Sequence, residues 1–186
     1  MTYFFRTFLL LLPLLFLFPV MGLAQPAVLE ALYQNRMELI QRASLVLAAW
    51  AMGNIVISSL NLPKASRSKR YFHQMNIIWN IVNLAIAGYS AYTSFTGDAS
   101  LLTLAREVRE HFLLERILLL NVGLDLAYLM TGLYLQERAG RALKPERLHC
   151  YGSSLLLQGS FLLLFDLLFY FLLNTHTGEL YQLLNQ

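Results

Sequence analysis

The sequence has little charge and almost no cysteine. Only 13% of its 186 residues are charged, and 57% are hydrophobic. A soluble domain usually has about 25% charged residues, and a disordered chain has more charge and less apolar surface. Both classes are therefore excluded, and the composition indicates a membrane protein. The single cysteine, Cys150, excludes an intrachain disulfide and a CxxC redox site.

Several motifs that carry chemistry are also missing. The sequence has no glycine-rich phosphate loop, no HExxH pair and no nucleophile elbow. No catalytic residue is assigned, and no cofactor is identified. The net charge of +3 is small and forms no basic face, so nucleic acid is not an expected partner.

The first 24 residues have the pattern of a secretory signal peptide. Arg6 supplies a positive charge, an apolar run follows from Phe8 to Phe18, and a small-residue site ends at Ala24. The apolar run is too short to cross a bilayer core of about 30 Å. Cleavage after Ala24 would leave residues 25–186 as a single membrane domain. The alternative is an uncleaved signal anchor.

Four later segments are long and apolar enough to cross a membrane. Each has about 20 residues with few charges, which is the length of a spanning helix. They lie near residues 44–62, 75–95, 117–135 and 151–174. The fold class predicted is all-α, a four-helix transmembrane bundle.

The basic residues predict the orientation of these spans. Two short loops hold four basic residues each, one after the first span and one after the third. They are Lys64, Arg67, Lys69 and Arg70, and Arg138, Arg141, Lys144 and Arg147. Short loops rich in Lys and Arg stay in the cytoplasm. Both mature termini are therefore expected outside, in a multi-pass protein of a bacterial inner membrane, with the lipid bilayer as its surroundings.

An amphipathic segment precedes the third span. Residues 98–116 carry apolar side chains at helical spacing, and Asp98 or Ser100 could cap the start of a helix. We expect this helix to lie along the outer membrane surface.

Polar side chains inside the spans need an explanation, because each is costly in hydrocarbon unless it is paired. Their spacing places them on one face of each helix. These residues form a predicted intramembrane polar site: Asn54 in the first span; Asn80 and Asn83 in the second, together with Asn76; Asn121, Asp125 and Tyr128 in the third; Gln158 and Asp166 in the fourth.

Counting residues from the outer ends of the spans gives the depth of each group. Asp125 and Asp166 both fall about 12 Å deep, with Asn54 and Asn83 slightly deeper. Asn80 and Gln158 fall about 22–24 Å deep and are expected to pair as a second layer. Two carboxyl groups at one depth would share a proton through a hydrogen bond. These polar residues either hold the helices together by hydrogen bonds or form a site for a ligand, an ion or a proton.

Two histidines lie at the cytoplasmic edge of the predicted bundle. His73 precedes the second span and His149 precedes the fourth. They could ligate a metal or haem if the two helices adjoin. The alternative is that both are interfacial side chains beside the basic loops.

The sequence resembles an uncharacterised family of bacterial inner-membrane proteins with a signal peptide and four spans. The resemblance rests on Phe72-His73-Gln74-Met75-Asn76, Trp79-Asn80, Asn83, Asn121, Gly123-Leu124-Asp125, Ala127-Tyr128, Gly132-Leu133-Tyr134, Gln158-Gly159, Phe161-Leu162 and Phe165-Asp166. The resemblance implies the architecture of a signal peptide and four spans, and it implies no chemical activity.

Three functions stay open at this point. The first is a non-enzymatic accessory or assembly component, whose polar layers specify pairing with itself or within a larger membrane complex. The second is a binding or transport module for a small solute, ion or proton that uses the aspartates and asparagines. The third is a haem or metal protein that uses His73 and His149.

Overall fold

The protein is helical throughout the described part of the computed structural model. The backbone is described for residues 2–97 and 102–185, and side chains are described from residue 27 onward within those ranges. No strand occurs in these ranges, and the predicted all-α class is confirmed. The elements are α1 (Thr2–Asn61), a 3-10 turn (Leu62–Lys64), α2 (Arg67–Phe95), α3 (Leu104–Ala139), α4 (Pro145–Asn174) and α5 (Thr177–Leu184). The predicted signal peptide, residues 1–24, lies outside the residues whose side chains are described.

Local sequence explains where the helices begin. The Ser66 side chain accepts a hydrogen bond from the backbone N–H of Lys69 at the start of α2. Thr103 does the same for Arg106 at the start of α3, at 3.2 Å. Such caps satisfy amides that have no partner within the helix. Pro145 opens α4, where its missing N–H costs nothing.

Three of the helical segments are long and apolar enough to cross a membrane. They are Ala27–Lys64, Leu104–Ala139 and Pro145–Leu184. The second predicted span, 75–95, lies within α2, which is long enough but less apolar than the other three. Its three buried asparagines account for much of the difference.

The helices pack as two antiparallel hairpins, α1–α2 and α3–α4, joined mainly by contact between α2 and α4. The starts of α2 and α4 are neighbours, because Ser68 Oγ lies 3.4 Å from Cys150 Sγ. The rings of Tyr71 and Tyr151 also meet edge to face, with centroids 6.0 Å apart. Both turns that carry basic residues therefore lie at the same end of the bundle.

Two glycines bring α3 and α4 into backbone contact. A Cβ atom placed on Gly152 would lie 2.6 Å from the carbonyl oxygen of Gly132, which is closer than real Cβ contacts come. A Cβ atom on Gly132 would lie 3.0 Å from the carbonyl oxygen of Gly152. Small residues allow this close approach of helices in membranes.

At the other end of the bundle, extensions of α1 and α3 pack with α5 into a small helical head. Leu32 of α1 is buried against Leu180 and Leu183 of α5. Leu104, Val108 and Phe112 of α3 cover the same cluster. The head therefore holds α5 against the beginning of α3 and against α1.

The predicted surface helix is not a separate element. Residues 104–116 are the first part of α3 and continue into residue 117 without a break. No glycine or proline interrupts this stretch. Three of its apolar side chains, those of Leu104, Val108 and Phe112, pack on Leu32 and α5. The two residues predicted to cap it, Asp98 and Ser100, lie outside the described residues.

Candidate functional site

A cavity of about 1010 Å³ lies between the two hairpins. All four long helices contribute to its wall, but α2 and α3 make almost no direct contact along it. One bridge between them is the edge-to-face pair of Trp79 and Tyr128, with ring centroids 4.8 Å apart. Most of the lining is aliphatic or aromatic. The cavity is therefore an apolar space with a side opening between α2 and α3.

Two carboxyl groups lie in the wall of this cavity. Asp125 of α3 and Asp166 of α4 are both buried and lie close to each other. Asn121, one turn from Asp125 on α3, lies in the same part of the wall. Two neighbouring carboxyls can hydrogen-bond each other only when one of them carries a proton, because an ionised carboxylate has no hydrogen to donate. The expected proximity of the two aspartates is thus present in the structure.

Two polar atoms at this site have no partner among the residues that the structure describes. Asn83 Nδ2 and Asp125 Oδ2 are buried and without a hydrogen bond. Both residues line the cavity, and their side chains are only 5% and 2% exposed. A buried polar group without a partner costs about 1–3 kcal/mol. The site thus has one free donor and one free acceptor.

A second polar cluster behaves differently, because its members bond to each other. Asn76 donates to Asn54 Oδ1 and to Ser58 Oγ, at 2.9 Å each. Its own Oδ1 accepts from Gln158 Nε2 at 2.5 Å. Gln158 Oε1 in turn accepts from Trp50 Nε1 at 3.0 Å. This amide network links α1, α2 and α4 and does not line the cavity.

The amide network rearranges two of the expected contacts. Gln158 bonds Asn76 and Trp50, so the expected pairing of Asn80 with Gln158 is replaced. Asn80 Nδ2 donates to the backbone oxygen of Asn76 at 2.8 Å. Asn54 joins the amide network and not the aspartates. Asn76, which sequence reasoning treated only as one residue of a polar face, is the centre of the network.

The two histidines lie near the starts of α2 and α4, at the basic end of the bundle. His73 is half-buried, with its ring against Phe72, and His149 is exposed. Among the described residues, no group of three or more His, Cys, Asp or Glu side chains is placed to hold a metal ion.

Sequence reasoning missed an ion pair at the end of the cavity next to the helical head. Arg36 of α1 binds Glu107 of α3 through two parallel hydrogen bonds, each 2.8 Å long. Both side chains are buried, and Arg36 also lines the cavity. Nearby, His111 lies 3.0 Å from Thr177 at the start of α5. A signal was present in the sequence, since each charge lies within an apolar helical stripe: Arg36 between Leu32 and Leu39, and Glu107 beside Leu104 and Val108.

Comparison with known proteins places these features in a family. A model for a family of unknown function (DUF6992) matches residues 46–167. The chain belongs to this family. The match runs from α1 to α4 and includes Asn83, Asp125 and Asp166. No curated protein and no solved structure matches the chain. The DUF6992 region therefore contains the carboxyl pair and the amide network, while Arg36 and α5 lie outside it.

Proposed function

We propose that this DUF6992 protein is a bacterial inner-membrane protein in which α1 to α4 all cross the bilayer with both mature termini outside. The eight basic residues at one end of the bundle support this orientation. The polar face of α2 is turned towards α1 and α4, where its asparagines are buried. A less apolar helix is therefore compatible with a spanning position.

Cysteine labelling tests this orientation. In a Cys150→Ala background, Leu143→Cys marks the turn between α3 and α4, and Gly178→Cys marks α5; both positions are exposed. With a membrane-impermeant maleimide on intact spheroplasts, we expect Gly178→Cys to be labelled. Leu143→Cys should react only after the membrane is opened. The reverse pattern would contradict the proposed orientation.

We further propose that the protein binds a small ligand in the cavity between the hairpins, at Asn83, Asp125 and Asp166. The observation that carries this proposal is the pair of buried, unpartnered atoms, Asn83 Nδ2 and Asp125 Oδ2, in one apolar cavity wall. Small-molecule sites typically combine an apolar lining with a few converging polar groups. An unpaired donor and acceptor are destabilising alone and become favourable when a ligand satisfies both.

The geometry gives less support to an assembly role based on the polar layers. The side chains of Asn76, Asn54 and Gln158 hydrogen-bond within the chain. They therefore give no reason to expect a partner subunit. Among the described residues, five buried polar atoms lack a hydrogen-bond partner, and two of them, Asn83 Nδ2 and Asp125 Oδ2, belong to residues that line the cavity. A small molecule fits this cavity better than a helix of another protein does.

Replacement of Asn83 by leucine tests the binding proposal without knowledge of the ligand. Because Asn83 Nδ2 has no partner among the described residues, we expect Asn83→Leu to leave the melting temperature unchanged or raised when both proteins are first freed of bound molecules by exhaustive exchange of a neutral detergent. Native mass spectrometry should find a small molecule bound to the wild type and lost from Asn83→Leu. Asn61→Leu, at an exposed site where the amide bonds only its own helix, is the control and should keep the bound mass.

Three other results would mean that Asn83 is not part of a binding site. A clear fall in melting temperature on Asn83→Leu would mean that its amide stabilises the fold. Retention of the same bound mass by Asn83→Leu would place any ligand elsewhere. Water alone in the cavity would give no bound mass and no difference between Asn83→Leu and Asn61→Leu. Each of these results would overturn the proposal.

A further inference from the structure

We infer that the ligand of this cavity is a cationic amphiphile, an organic amine attached to a long apolar chain, with its ammonium group at the Asp125–Asp166 carboxyl pair. This inference rests on the proposed binding function and names the chemical class of the ligand. Four observations lead to it: the carboxyl groups of the inner cavity, its free polar atoms, its aromatic residues and its elongated shape.

Among the described residues, the lining of the inner cavity has two carboxyl groups and no basic side chain. A carboxyl pair that shares one proton keeps one negative charge. The described residues that line the cavity include two basic ones, Arg36 and Arg106, and both belong to its outer end. Arg36 is already bound to Glu107. A buried charge needs a counter-charge, so a cation from outside the chain fits the inner site.

The free polar atoms suit an ammonium group. Asp125 Oδ2 is buried and has no donor within the described part of the chain, and an ammonium supplies three N–H donors. Such a charge-assisted hydrogen bond is about twice as strong as a neutral one. The Asn83 amide can turn its oxygen to the same ammonium by rotating half a turn about its last side-chain bond.

Aromatic side chains line the same part of the cavity. Tyr128 is one helical turn from Asp125, and Phe165 precedes Asp166. Trp79 completes this group, in contact with Tyr128. Aromatic faces attract organic cations through their negative π surface. A small, strongly hydrated metal ion fits this site less well, because it needs more oxygen ligands than the site offers.

The shape of the cavity suits a chain. On α3 the lining extends from Arg106 to Tyr128, which is about 33 Å along the helix axis. The cavity is therefore an elongated slot along α3. Because α2 and α3 barely touch, the slot opens at the side of the bundle, which faces hydrocarbon in the proposed membrane position. A single apolar chain can enter it from the side.

Three probes with the same chain test the charge preference. Dodecylamine, dodecanol and dodecanoate are added to the full-length protein in lipid nanodiscs, and binding is measured by native mass spectrometry and by the shift in melting temperature. We expect dodecylamine to bind at least about tenfold more tightly than dodecanol, and dodecanoate to bind most weakly.

Asparagine variants test whether the carboxyl pair carries the charge. In Asp125→Asn and in Asp166→Asn, the new amide imitates the protonated carboxyl, and the remaining aspartate keeps the negative charge. We expect each single variant to bind dodecylamine within a few-fold of the wild type. The double variant D125N/D166N has lost the charge and should bind it at least about tenfold more weakly, at the level of dodecanol. Glu137→Gln, at an exposed position of α3, is the charge-matched control and should have no effect.

The outcomes separate this inference from the binding function. Equal binding of dodecanol and dodecylamine, or an unchanged double variant, would overturn the amine and leave the cavity as a binding site. Tighter binding of dodecanoate would do the same. If no probe binds while Asn83→Leu loses a native ligand, the amine inference alone fails. If no probe binds and Asn83→Leu destabilises the protein, both proposals fail.

Discussion

Glu107→Gln is expected to destabilise the protein by about 3–5 kcal/mol. The substitution keeps the shape of the side chain but removes its charge, and the Arg36 guanidinium then stays buried without a counter-ion. Glu107 is 2% exposed and is bound by both Nε and the terminal nitrogen of Arg36. The free energy of unfolding, measured by denaturant titration in detergent micelles, is the appropriate readout. Because Arg36 lines the cavity, we also expect the loss of its partner to loosen the cavity wall at the end next to the helical head.

Two further variants test whether the loss of stability in Glu107→Gln comes from the buried charge that is left without a partner. Glu137→Gln makes the same change in the same helix, but its pair with Arg141 is exposed on both sides. We expect an effect close to zero there, because exposed ion pairs contribute about 0–1 kcal/mol. The double variant R36M/E107L should recover most of the lost stability, since an apolar pair of similar size needs no counter-charge. A double variant as unstable as Glu107→Gln would contradict this explanation.

Asn76→Leu is expected to destabilise the protein by about 3 kcal/mol, from the loss of three side-chain hydrogen bonds at about 1 kcal/mol each. Leucine has a similar size but leaves Gln158, Asn54 and Ser58 without their shared partner. These three residues come from α1 and α4, so the loss loosens the contact of α2 with both helices. The same denaturant titration measures it.

The comparison with other asparagines makes this prediction specific. Asn61→Leu changes an exposed residue whose amide bonds only the Ile57 carbonyl of its own helix, so we expect a change below about 1 kcal/mol. Asn83→Leu, on the same face of α2 as Asn76, should be neutral or stabilising. If Asn76→Leu and Asn83→Leu have equal effects, the division into a closed amide network and an open site is wrong.

Much of the helical architecture was predictable because it follows from local patterns. The apolar runs placed a helix at each of the four segments, and the spacing of Asn76, Asn80 and Asn83 correctly placed all three on one buried face. The depths of Asp125 and Asp166 also brought the two carboxyls together. Equal counts from the outer ends were sufficient there, because α3 and α4 are neighbours throughout the bundle.

The partners of the amides could not be predicted to the same degree. Depth counted from uncertain span ends is accurate to about one helical turn, and Asn76 and Asn80 differ by one turn. The count alone therefore could not decide which of them meets Gln158. The rotation of each helix about its axis, which sends Asn54 to Asn76, depends on packing of whole faces.

The helical head illustrates a different limit. An amphipathic stripe indicates that one face is buried, but not whether lipid or protein covers it. Residues 104–116 have such a stripe, and its cover is Leu32 together with α5, which lies about 70 residues further along the chain. The pairing of Arg36 with Glu107 depends on the same long-range contact.

The backbone contact between Gly132 and Gly152 makes the two hairpins mechanically unequal. With backbone atoms of both glycines in contact, α3 and α4 have less room to rearrange there than a layer of side chains would give, so we expect them to move together. The opposite wall of the cavity belongs to α1 and α2, which meet this body through side chains such as Trp79 and Gln158. Any widening of the slot is therefore a movement of the first hairpin against a fixed second one. We expect that hairpin to pivot at two points: the amide network near the basic end and the ion pair in the head.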